Sequence, residues 1–138
     1  MALRFDPVTA AALGATGVLP ALNSVLQLSG PEVELVLWTA LAAALWVPVV
    51  RARRSPPFAT LLAAGVVAGV VTGALQASLA HVMFARNDEV AASFGGVVTL
   101  AIRLQLLLSS VVIGVVWGAL VGGAALWFEK RRPLPRAA

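Results

Sequence analysis

Long stretches without a charged side chain, cut by short clusters of charge, proline and glycine, constrain this chain more than any other feature. The apolar runs extend over about 8–28, 33–50, 58–85 and 104–128. A helix needs about 20 apolar residues to cross roughly 30 Å of hydrocarbon, and the second run lies near the lower limit. Between the runs stand Ser29-Gly30-Pro31, the segment Arg51-Ala52-Arg53-Arg54-Ser55-Pro56-Pro57, and Arg86-Asn87-Asp88-Glu89. Pro and Gly break helices, and charge resists hydrocarbon. The expected fold is therefore all-α. It is a single integral-membrane domain over residues 1–138, a four-helix transmembrane bundle of two helical hairpins, with 129–138 as a tail.

Composition agrees. Charged residues make up 12% of the chain, hydrophobic residues 60%, and mean hydropathy is +0.94. A soluble domain carries about 25% charge. The net charge of +4 does not point to nucleic acid, because the basic residues sit at the ends of apolar runs instead of spreading along one face. With no cysteine, disulfides and thiolate-held metals are excluded. The first run follows Arg4 and Asp6, is longer than a signal-peptide core and has no Ala-x-Ala site after it, so it reads as a retained helix.

Basic residues also set orientation, being retained on the cytoplasmic side. Four spans place the N-terminus, the second loop and the C-terminus together. That side holds eight of the ten positives: Arg4, Arg51, Arg53, Arg54, Lys130, Arg131, Arg132 and Arg136. Arg86 and Arg103 fall on the other. Both termini are expected in the cytoplasm, with the chain as a multi-pass protein of the inner membrane if bacterial. Trp46, Trp127 and Phe128 are expected as interfacial anchors at the cytoplasmic helix ends.

Two stripes of small residues recur at intervals of four: Gly65, Gly69, Gly73 and Ala77 in the third run, and Ser110, Gly114, Gly118 and Gly122 in the fourth. Such stripes let helix backbones approach closely in lipid, where no hydrophobic drive joins helices. They suit an antiparallel hairpin of these two helices or a seam between copies. The third run, about 42 Å long as a helix, must tilt or project. The uncharged stretch 90–102, broken by Gly95-Gly96, is expected in the interface, dipping back, or packed on the outer helix ends. Ala44-Leu45-Trp46 and Ala125-Leu126-Trp127, each before a basic cluster, would follow from an internal hairpin duplication.

Polar residues inside a membrane are costly and mark function or interhelical hydrogen bonds. Asn23, Gln27, Glu34, Gln76, His81 and Arg103 all fall toward the outer side. They form the candidate ligand or ion cluster, with Glu34 and Arg103 expected to pair across the bundle mouth. His81 is the only histidine, so neither a metal nor another cofactor is expected. No phosphate-binding loop, carboxylate pair or activated nucleophile is legible, and no enzymatic activity is expected. The sequence reads as a non-enzymatic accessory or self-associating subunit of a membrane complex. The alternative is a small oligomeric transporter or channel with an outward-facing polar vestibule. Expected partners are the lipid bilayer and a membrane protein or a second copy.

Overall fold

The computed structural model describes residues 5–131, which are helical with short connections. Helix α1 runs Pro7–Leu26, α2 Pro31–Ala52 and α3 Pro57–Ser78. Two short helices follow, α4 Ala80–Arg86 and α5 Asp88–Ser93, and then α6, Leu100–Arg131. Four of these helices, α1, α2, α3 and α6, are long and apolar enough to cross a membrane. Arg4, Arg132 and Arg136, and the tail beyond Arg131, lie outside the described residues.

Helices α1, α2 and α3 each open on a proline, whose missing N–H costs nothing in a first turn. Asp6 caps α1, its carboxylate accepting from the amides of Val8 and Thr9, both at 3.1 Å. Prolines inside spans leave a different mark. A helix-interior proline removes one hydrogen bond and clashes with the preceding turn. A 3₁₀ turn at Ala15–Gly17 precedes Pro20, and a wide π turn at Ala42–Trp46 precedes Pro48. These are the forms in which a helix absorbs such a fault.

Helix α3 is the centre of the bundle. Helix α6 packs along one face of it and α1 along another. A Cβ added at Gly65 would lie 2.8 Å from the Cα of Gly118, one at Gly69 2.8 Å from that of Val111, and one at Gly73 2.8 Å from that of Leu107. Gly114 and Gly118 present their own backbones to Gly69 and Leu62, and Gly122 presents its own to Phe58. The two helices thus meet backbone to backbone, in antiparallel sense.

The helices do not share their contacts evenly. Helix α1 lies chiefly along α3 and not along α2. Gly14 and Gly17 explain this: added Cβ atoms there would strike Val67 and the backbone of Ala68, so α1 and α3 are in close contact. Helix α2 contains no glycine and cannot approach a neighbour in the same way. It is held through large side chains. Trp46 is 1% exposed, donates its indole N–H to Thr16 Oγ1 at 3.0 Å, and meets Trp38 edge-on at 6.3 Å. Trp46 is therefore a core residue and not the interfacial anchor expected. Trp127, in the matching tripeptide, is 49% exposed in an unbroken helix, so the two Ala-Leu-Trp segments occupy unlike positions.

The third apolar run is not one helix. It breaks at Leu79 (φ −100°, ψ 17°), and α4 turns to bury Ala80, Met83 and Phe84. The overlong helix is instead α6, whose 32 residues span about 48 Å. Segment 90–102 packs against α4 and the start of α6. Phe94 stacks on Phe84 at 5.8 Å, and Val90, Ala91 and Val98 join Met83 and Ile102. Gly95 and Gly96 make the return, with φ of 77° and 78° that side chains resist.

Candidate functional site

Gln76, near the C-terminal end of α3, joins three helices. Its Nε2 donates to Ser24 Oγ of α1 at 3.0 Å, and its Oε1 accepts from Ser110 Oγ of α6 at 2.7 Å. One turn earlier on the same face, the Thr72 hydroxyl donates to the Gly17 carbonyl at 2.9 Å. Ser110 occupies a glycine-stripe position, so its hydroxyl sits where two backbones nearly touch. Interhelical bonds of this kind are worth about 0.6–2 kcal/mol each in lipid.

Beside this network lies a cavity of about 260 Å³, bordered by all four long helices. Helix α2 supplies Glu34 and Trp38, α1 supplies Ser24, α3 supplies Thr72 and Gln76, and α6 supplies Ser109 and Ser110. Glu34 is half-buried and is the only ionisable group among the lining residues. A carboxylate in such surroundings requires water or a cation, because desolvated charge is costly when unpaired. The walls offer hydroxyl and amide oxygens and an indole face, all of which attract cations. A single carboxylate is a poor metal site, and among the described residues no cluster of three His, Cys, Asp or Glu occurs.

The other members of the expected cluster go elsewhere. Asn23 is 6% exposed; its Oδ1 accepts from Ser29 Oγ while its Nδ2 is buried without a partner. Gln27 is exposed at the left-handed end of α1 (φ 53°) and accepts from Asn87 Nδ2 at 2.9 Å. His81 is exposed on α4. Arg103 does not meet Glu34. Its guanidinium donates to the carbonyls of Ala77 and Ser78, the second at 3.3 Å. Those carbonyls are the unpaired end of α3, and a cation there offsets the helix dipole. Arg86 serves α1 in the same way, donating to the Leu26 carbonyl at 3.4 Å. Arg86 and Arg103 are thus both helix caps, and Ala77 contributes a carbonyl acceptor as well as a small side chain.

Sequence reasoning singled out Glu34 and Gln76 and passed over Ser24 and Ser109. Their hydroxyls are unremarkable in sequence, since serine is common in membrane helices. Ser24 could have been found from its spacing: it lies seven and eight residues beyond Gly17 and Thr16, on the face that α1 turns to α3.

At the opposite end, Asp6 ties α1 to the second loop. It accepts from the Thr9 hydroxyl and from Ser55 Oγ at 3.1 Å, and its amide donates to Thr60 Oγ1 at 3.3 Å. The Thr9 side chain, more than any other group, holds the Asp6 carboxyl below its ordinary value of 3.8. No protein-family model, curated protein or solved structure matches this chain.

Proposed function

We propose that this protein is a non-enzymatic, multi-pass membrane protein with both termini in the cytoplasm, and that it binds a small cation in its outward-facing polar cavity as a small transporter or channel does. One observation carries the reading: Glu34 enters a cavity that all four long helices border, beside the Ser24–Gln76–Ser110 network. A site shared by every span changes shape when any helix shifts, which is the coupling that transport needs. Trp38 and the apolar walls favour an organic ammonium over a strongly hydrated metal ion.

The test is saturable binding of radiolabelled tetramethylammonium to the protein in nanodiscs, followed by uptake in proteoliposomes. Glu34→Gln is expected to weaken binding at least roughly 10-fold, while Glu34→Asp retains part of it. Wild-type protein without saturable binding refutes the reading, and binding without uptake limits it to a receptor role.

A second reading is an accessory or self-associating subunit of a membrane complex. The glycine faces that would form a seam between copies are occupied by the α3–α6 contact. What favours this reading is the outer cap, where Val97 and Leu100 stand 66% and 74% exposed. Copurification of a defined second protein, lost on Val97→Ser with Leu100→Ser, supports it.

A further inference from the structure

Helices α2 and α6 do not pack on each other along their cytoplasmic halves, as oriented by the basic residues; a groove of about 270 Å³ separates them. Its walls are Thr39, Ala42, Ala43 and Val47 on one side and Trp117, Val121, Ala124 and Phe128 on the other. Alanines at the centre keep it open, and the π turn of α2 forms part of one wall. One turn beyond Val47 stands Arg51, and one turn beyond Phe128 stands Arg131. These two arginines, with Trp127 and Phe128, border a wider mouth of about 470 Å³. Phe128 lines both spaces, so the mouth adjoins the groove. Arg131 is held at the mouth by stacking over Trp127, at 3.9 Å from the ring centroid. Glu129 lines a recess with Arg51, Arg54 and Pro57 and is absent from the lining of the mouth.

Size selects the occupant. One turn of a helix, about 5.4 Å of a cylinder about 10 Å across, fills roughly 420 Å³. The groove holds less than one turn, so a partner helix does not fit inside it; part of one acyl chain, which is slimmer than a helix, lies along it. Charge selects the rest. A chain in the groove brings its headgroup to the mouth, where two guanidiniums can donate in forks to phosphate. A zwitterionic headgroup adds an ammonium that these cations repel; an anionic one does not.

We propose that this α2–α6 groove is a specific site for one anionic phospholipid, with an acyl chain between the alanines and its phosphate at Arg51 and Arg131. The lipid substitutes for the helix contact that α2, lacking glycine, does not make with α6. The groove shares no lining residue with the Glu34 cavity.

Native mass spectrometry of the detergent-purified protein, titrated with phosphatidylglycerol or phosphatidylcholine of identical chains, tests the proposal. Wild type is expected to retain one phosphatidylglycerol in preference to phosphatidylcholine. Arg51→Gln with Arg131→Gln is expected to lower that preference roughly 10- to 30-fold, whereas Arg53→Gln, at an exposed site outside the mouth, leaves it intact. Ala124→Phe, which fills the groove from an exposed position, is expected to reduce retention of both lipids without lowering the thermal midpoint. Equal retention of the two lipids by wild type overturns the proposal. So does a preference unchanged in the double arginine variant, or a copurifying protein that crosslinks to position 43 in place of lipid.

Discussion

Adding one methyl group to Gly114 probes the contact on which the bundle is built. A Cβ there lies 2.9 Å from the Cα of Gly69 and closer still to the carbonyl oxygen of Gly65. Non-bonded heavy atoms rest about 3.5 Å apart, so relieving the tighter of these contacts separates the helices by about 1 Å. Neither neighbour is a flexible side chain, and the backbone must move as a body. A gap of about 0.5–1 Å forfeits a quarter to a half of each dispersion contact, and the loss extends along the stripe to Gly73 and Gly122. Overpacking of this kind costs about 1–3 kcal/mol. Alanine also returns up to about 1 kcal/mol in helix propensity over glycine. Gly123 supplies the control, since an added Cβ there meets nothing within 4 Å in the same helix. Subtracting Gly123→Ala from Gly114→Ala cancels the propensity gain and leaves the packing cost, about 1–3 kcal/mol. Reversible unfolding in mixed micelles, followed by far-ultraviolet circular dichroism, measures both. Equal stabilities for the two variants would refute close α3–α6 contact as the source of cohesion.

Three further outcomes are expected. Cysteine introduced at the exposed Ala52 should resist an impermeant maleimide in intact cells, and one at the exposed Ala92 should react; the reverse pattern inverts the orientation. Arg103→Gln should cost about 1–2 kcal/mol through the uncapped end of α3, and a double-mutant cycle with Glu34→Gln should give a coupling within about 0.5 kcal/mol of zero, the range for non-interacting sites. Asp6→Ala should lower the thermal midpoint at pH 7. Because hydrogen bonding lowers the folded-state value of Asp6, its contribution is complete above about 3.8 and fades as pH falls through the lower folded value. A gap between variant and wild type that stays constant down to pH 2 would contradict that role.

What the sequence determined by itself is whatever depends on composition and local spacing. Uncharged runs of spanning length, closed by Arg51–Pro57 or Arg86–Glu89, specify apolar helices, because neither lipid nor backbone leaves another way to satisfy the amides. The small-residue periods at Gly65–Gly73 and Gly114–Gly122 specified faces capable of close approach. The partner of each polar group was not legible in this way. Gln76 bonds Ser24 because α1 docks on α3, and that docking depends on Gly14 and Gly17, two residues whose meaning emerges only against Val67 and Ala68. Arg103 and Glu34 stand at comparable depths and invite pairing, yet the break at Leu79 exposes carbonyls that claim the guanidinium first. The same break turns a 28-residue apolar run into a long apolar helix and a short capping one, with no proline or glycine at the joint to announce it. Trp46 and Trp127 share a tripeptide, but one is sealed against Thr16 and the other faces outward, because α2 needs large side chains to hold it where α6 uses glycine. Periodicity fixes which face of a helix is special; only three-dimensional packing decides what that face meets, since interaction energies of about a kilocalorie are settled by ångström distances between residues far apart in the chain.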